Sequence, residues 1–147
     1  MATRSASPAG SAQGMCPRCG VKHRSLTPEQ CADRAVTEKA LQLSVVGRAK
    51  RRGWKVAHAG KGFVGGSEAE GGQFVTPMAP GWPDLTLAKE GHRLIFIELK
   101  REKGEVSDDQ WFWLRLLNQC GARAIIVRPS DVREGRVNAI LSQGSPL

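Results

Sequence analysis

Two short stretches hold residue types that can do chemistry together. Pro80-Gly81-Trp82-Pro83-Asp84 is a Gly/Pro turn that delivers an acid to the head of a short strand, Asp84 to Ala88. After a turn at Gly91-His92 comes Leu94-Ile95-Phe96-Ile97-Glu98-Leu99-Lys100, an apolar strand-forming run that closes on two charges spaced two apart. Strand side chains alternate, so Glu98 and Lys100 leave one face and Leu99 the other. Paired as a hairpin, the strands are expected to bring Asp84 beside Glu98, with Lys100 close to both. Two carboxylates and an ammonium converging on one strand end can hold a divalent cation and a polarised water. An acid-x-Lys strand end is common on its own, usually as a solvated terminus with an ion pair. The Gly-x-Pro-Asp turn upstream is what makes the combination specific.

A second group lies nearer the N-terminus, where Cys16-Pro17-Arg18-Cys19-Gly20 is followed by His23 and Cys31. Cys-x-x-Cys-Gly is a knuckle turn in which two thiolates grip one Zn²⁺ and glycine eases the bend. Cys16, Cys19, His23 and Cys31 together supply four ligands, enough for a closed, structural zinc site. The spacing is short for a zinc ribbon and no second Cys-x-x-Cys exists. The competing reading puts Cys31 on a helix facing the core and leaves Cys16 and Cys19 as a reduced pair. Cys120 is expected to be a small buried hydrophobe.

The elements that position these residues follow from periodicity and punctuation. Residues 1–14, rich in Ser, Ala, Gly and Pro, have little to bury and are expected to be disordered. Thr27-Pro28-Glu29-Gln30 is a helix start with Thr as N-cap, Pro at the first position and Gln completing a capping box. Apolar residues continue at Val36, Ala40, Leu43, Val46 and Ala49 up to the basic Lys50-Arg51-Arg52 and Gly53, as one helix or as two broken near Thr37. Glu38 and Gln42 lie one turn apart on that helix; periodicity alone makes them an exposed polar face. Trp54 to His58 has strand character. Ala59 to Trp82 is glycine-rich, a long connection expected to border the site and to contain a short strand near Gln73 to Thr76. His58 and Lys61 are candidate contacts to a nucleic-acid backbone or plain surface residues, the latter favoured for His58, and Trp82 either stacks on a base or covers the core edge.

Ser107-Asp108-Asp109-Gln110 repeats the capping box and opens a helix running to Cys120, with Gly121 as its stop. That helix is expected to turn Trp111, Leu114 and Leu117 toward the sheet, with Trp113 competing for the same face. Ala122 to Arg128 is a buried-type strand; the helix between it and the Glu98 strand implies a βαβ unit with parallel pairing. Val132, Val137, Ile140 and Leu141 mark a weak final helix.

The 147 residues suit one domain with an appendage, and 40% hydrophobic residues suffice for a single core. No apolar run approaches the ~18 residues of a membrane span, and the polar N-terminus has no signal-peptide core, so no membrane partner and an intracellular, cytoplasmic location are expected. A formal charge of +8 favours a polyanionic partner.

The Gly81-Trp82-Pro83-Asp84 turn, the Glu98-Leu99-Lys100 strand end and the Gln110-led helix resemble the VRR-Nuc branch of the PD-(D/E)XK nucleases, from about Thr37 to Asp131. The resemblance implies an α/β fold of restriction-endonuclease type: a central mixed β-sheet flanked by helices, here with a small N-terminal Cys-rich appendage. It divides the chain into a tail at 1–14, a candidate zinc-knuckle segment at 15–33 and a nuclease domain at 34–147. It also implies Mg²⁺ or Mn²⁺ held by Asp84, Glu98 and the Leu99 carbonyl, with Lys100 orienting water or stabilising the transition state. Glu38 matches the family's acid on the first core helix, an accessory metal or water ligand; Gln42 matches a polar position that often follows. Gln110 matches the glutamine beside the active site.

Members of the branch, from phages and bacteria, act on branched or flapped DNA. Small stand-alone ones look like Holliday-junction resolvases that work as dimers, so branched DNA and a second copy are the expected partners. Two other readings compete: a non-enzymatic basic DNA-binding protein built on a zinc module, and a sequence-specific restriction-type nuclease. The first has no need to place Asp84, Glu98 and Lys100 together, and the second requires base-reading elements that the sequence does not display.

Overall fold

The computed structural model describes residues 15, 16, 19, 20, 22–60, 62–64, 73–75 and 78–143; the expected tail at 1–14 and Lys61 lie outside them. Two helices open the described chain, α1 (Pro28–Ala35) and α2 (Glu38–Arg51). Thr27 caps α1 with a complete capping box: its hydroxyl accepts from the Gln30 N–H, and Gln30 Oε1 accepts from the Thr27 N–H. Thr37 caps α2 in turn, accepting from the Ala40 N–H. That restart changes the helical phase. The buried face of α2 is Leu41, Val45 and Ala49, whereas Ala40 and Leu43 of the apolar spacing read from the sequence face solvent, Leu43 with 67% of its surface.

The main sheet has four strands. β1 (Lys55–His58) pairs antiparallel with β4 (Leu85–Ala88), which pairs antiparallel with β5 (Ile95–Leu99); β5 then pairs parallel with β6 (Arg123–Val127). The helix α3 (Asp108–Gln119) joins the two parallel strands, as the βαβ expectation requires. The glycine-rich connection holds the expected strand, β3 (Gln73–Val75), and an unforeseen partner, β2 (Gly62–Val64), paired with it antiparallel. The described residues end in two helices where one was expected, α4 (Pro129–Arg133) and α5 (Arg136–Gln143), divided at Gly135 with its φ of 77°. The architecture is the expected α/β one, a mixed sheet flanked by helices. No helix among the described residues is long and apolar enough to cross a membrane.

Alternation along β5 divides the core in two. Ile95, Ile97 and Leu99 pack with Leu41, Val45, Ala49, Trp54, Val137 and Leu141 on the face covered by α2 and α5. Trp54 is buried there, its indole N–H donating to the Leu141 carbonyl over 3.1 Å. Phe96 leaves the opposite face to meet Leu114, Ala124, Leu117 and Trp82 under α3. Trp82 stands edge-on to Phe96 and Trp113 and so covers the core edge. The expectation for Trp111 is corrected: with Gln110, Leu114 and Leu117 inward, the helical period throws Trp111 outward, 54% exposed, and Trp113 takes the inner place. Cys120 is exposed as well, because it is the C-cap residue beyond the last turn of α3.

One contact decides where the Gly/Pro turn sits. The Trp113 indole donates to the Pro80 carbonyl over 3.0 Å, and Gly81 lies against the first turn of α3 with φ of 79°. A Cβ on Gly81 would come within 2.4 Å of the Asp109 carbonyl carbon. Gly91 has a similar φ, 72°, but no atom near its missing Cβ. Gly91→Ala should therefore cost about 1 kcal/mol, the backbone penalty alone, and Gly81→Ala about 2 kcal/mol or more. Urea unfolding of both variants measures the difference; equal losses would mean that the turn does not dock on α3.

Candidate active site and metal centre

The β4–β5 register puts Leu85 opposite Ile97, so Asp84, one residue before β4, falls opposite Glu98. Its carboxylate is held in place: Asp84 Oδ2 accepts from the Leu99 N–H over 2.8 Å. Pairing with β6 continues past the end of β5, with the Lys100 N–H donating to the Val127 carbonyl over 3.0 Å. Asp84, Glu98 and Lys100 are therefore set by backbone hydrogen bonding on both sides of one strand.

Glu98 is only 2% exposed. Its Oε1 accepts from Gln110 Nε2 over 2.5 Å and lies 3.2 Å from Lys100 Nζ. The other end of the Gln110 amide, Oε1, accepts from the Ser107 N–H over 2.9 Å. One side chain thus completes the capping box of α3 and grips the acid on β5. Gln110 is joined to this site, and Leu99 enters it through its main chain while its side chain fills the core.

The electrostatics of this corner are unbalanced. Burial pushes the Glu98 carboxyl up to about 7, helped by the negative Asp84, opposed by Lys100, with Glu38 adding repulsion. Asp84 is also raised, first by burial; the Leu99 N–H and Lys100 pull it down, and Glu38 pushes it up. Glu38, exposed in the first turn of α2, is therefore close enough to act on both acids, although no hydrogen bond joins it to them. One lysine does not neutralise three carboxylates. Among the described residues no protein donor reaches Asp84 Oδ1 or Glu98 Oε2. Carboxylate oxygens left without a donor in a negative corner suit a hard divalent cation.

Gln42 points elsewhere: its Nε2 pairs with His58 Nδ1 over 2.9 Å, tying α2 to the end of β1. His58 and Trp113 were not singled out for these tasks in the sequence. Each depends on a partner sixteen or more positions away, His58 on Gln42 and Trp113 on Pro80, so no local pattern could have found it.

The cysteine module closes as the four-ligand reading requires. The ligand atoms of Cys16, Cys19, His23 and Cys31 all lie within 4.8 Å of one another, and Cys19 Sγ is 3.0 Å from His23 Nε2. Cys31 does lie on a helix, α1, but it faces the other cysteines. The nearby Cys19 sulfur, together with burial and Cys16, pushes the Cys31 thiol up to about 11. Thiols crowded in this way ionise together only around a cation, so the group can bind a metal ion.

Comparison with known proteins falls on the carboxylate corner. No curated protein and no solved structure matches the chain. A family model does match, that of the VRR-NUC domain, over residues 75–131. The matched segment contains Asp84, Glu98, Lys100 and Gln110, and begins after Glu38 and Gln42. Over residues 75–131, then, this chain is similar to the VRR-NUC domain, the domain of a nuclease family.

Proposed function

We propose that this protein is a metal-dependent, structure-specific DNA endonuclease that hydrolyses phosphodiester bonds in branched DNA, four-way junctions or flaps, as a homodimer. The observation that carries the reading is the convergence of Asp84, Glu98 and Lys100 on one strand end, with Gln110 locking Glu98 from α3. Asp84, Glu98 and the Leu99 carbonyl are the metal-binding set for Mg²⁺ or Mn²⁺, and Glu38 is an accessory ligand. A hard cation bound there lowers the pKa of the attacking water and draws charge from the phosphate. Lys100 places its ammonium beside the same oxygen that Gln110 holds, so it can orient that water or meet the charge of the transition state. Cleavage of junction and flap DNA by wild type and Asp84→Asn tests this: the substitution is expected to lower the metal-dependent rate at least about hundredfold and leave DNA binding intact. Tight binding with no cutting in Mg²⁺ or Mn²⁺ would instead identify a DNA-binding protein.

The raised Glu98 carboxyl makes a second test that does not depend on activity. Its pKa in the folded chain is about 7, above the ordinary 4.5, so the native state binds the extra proton. Stability from this group is complete below its unfolded pKa and is lost as pH rises through the folded one. Without divalent cation, the melting temperature should fall between pH 4.5 and 7, and Mg²⁺ should restore it at pH 7 more than at pH 5. A melting temperature indifferent to both pH and Mg²⁺ in this window would sink the cation site.

Residues 15–33 are, in the same proposal, a zinc knuckle attached to a nuclease domain at 34–147. Cys16, Cys19, His23 and Cys31 would fill all four positions around a zinc ion, so its role would be structural. Purified protein should contain about one zinc per chain by elemental analysis, and Cys19→Ser should release it and lower the melting temperature. Stoichiometric zinc in Cys19→Ser would place the ion elsewhere.

A further inference from the structure

Beyond the strand end, the loop Arg101 to Gly104 walls a cavity of about 280 Å³ whose other side is Arg34, in the last turn of α1. Three of the five lining residues are cations, Arg34, Arg101 and Lys103, and all three are exposed. The one acid, Glu102, is already engaged, its Oε2 accepting from the Ser130 N–H over 3.1 Å at the start of α4. The loop is braced from below: Arg128 donates to the carbonyls of Arg101, over 2.7 Å, and Glu102, over 3.2 Å. Among the described residues Arg34, Arg101 and Lys103 form no ion pair, whereas Arg133 and Arg136 both find carboxylates. Three cations against one carboxylate leave the cavity net positive, which favours an anion there.

The position of the cavity narrows the choice of anion. Arg101 directly follows Lys100, so one wall of the cavity begins at the residue after the strand end that bears the carboxylates. Arg34 lies three residues beyond Cys31, and α1 is tied at that end by the Cys/His group and beside Arg34 by the Asp33–Arg133 ion pair at 2.9 Å. The Cys/His group therefore anchors α1, the helix that supplies one wall. We propose that this cavity is a backbone-phosphate pocket, taking a non-scissile phosphate of the DNA between Arg34 of α1 and the Arg101–Lys103 loop. The identity of the polyanion rests on the nuclease reading above. A phosphate held here sets the register of the DNA on the cleavage site without reading its sequence, and it gives the module a task in substrate positioning.

The test is equilibrium binding of a fluorescent four-way junction, and of plain duplex, to the full chain without added divalent metal, across a salt series. The pocket variant Arg34→Gln/Arg101→Gln/Lys103→Gln is compared with Lys50→Gln/Arg51→Gln/Lys55→Gln, which removes the same charge at the far end of α2 and β1. The pocket variant should raise Kd at 0.1 M salt by about tenfold or more and flatten the slope of log K against log salt by about two, on both DNAs; the control should change the slope by less than about one. Equal losses in the two triple variants overturn the pocket. Arg34→Gln alone, which leaves the loop untouched, should raise Kd about fivefold and decides the matter if the triple variant does not fold; an unchanged Kd and slope overturns the proposal. Wild-type protein that binds DNA but cuts none in Mg²⁺ or Mn²⁺ overturns the nuclease reading and leaves this comparison standing.

Discussion

A carboxylate buried at the end of a fully buried strand is the constraint on which the rest of this structure depends. Every residue of β5 is buried, and Glu98 is the one among them that carries charge. An isolated ionised carboxylate in such a place is expensive, so the surroundings must donate to it or let it keep its proton. Both happen here. Gln110 and Lys100 converge on one oxygen while the other has no donor among the described residues, and the carboxyl pKa is pushed up to about 7. Asp84 is spared the same fate only in part, by the Leu99 N–H.

Much of the fold can be understood as holding that corner still. Gln110 reaches Glu98 because the capping box fixes the first turn of α3, and the same turn receives Gly81, which sets the start of β4 and so Asp84. The Trp113 indole fastens the turn from its other side, and Trp82 fills the space beneath. Asn118 closes the far end of α3, donating to the Ala124 carbonyl and accepting from the Ala124 N–H, so the helix is tied to β6 as well. The acids are thus placed by two strands and one helix that share hydrogen bonds, a rigid arrangement for groups that repel each other.

The cysteine module is joined to this domain through charge as well as packing. Asp33 is buried in α1 and is met by Arg133 of α4, which also contacts Glu134. Breaking such a pair leaves a buried charge without a partner, so the orientation of α1 is fixed even though the helix has only eight residues. Glu102 and Arg128 bind the post-strand loop to the start of α4 in the same region. The module, the loop and α4 therefore meet on one side of the sheet end that bears the carboxylates.

What the sequence determined by itself is local. Alternation along Leu94 to Lys100 settled which face Glu98 and Lys100 share, and two capping boxes, at Thr27 and Ser107, located two helix starts. The Cys-x-x-Cys turn with His23 and Cys31 closed as spaced, because its ligands lie within one short segment. The tertiary structure decided whatever depends on where distant elements meet. The Thr37 cap reset the phase of α2 and left Leu43 facing solvent; the outward turn of Trp111 followed from Gln110, Leu114 and Leu117 packing inward. The second grip of Gln110 on Glu98, the docking of Gly81 on Asp109 and the approach of Glu38 to both acids are contacts between separate elements. Alternation and capping act over a few residues and are written in the spacing of residue types, whereas burial and the fields of remote charges exist only after the chain has closed on itself.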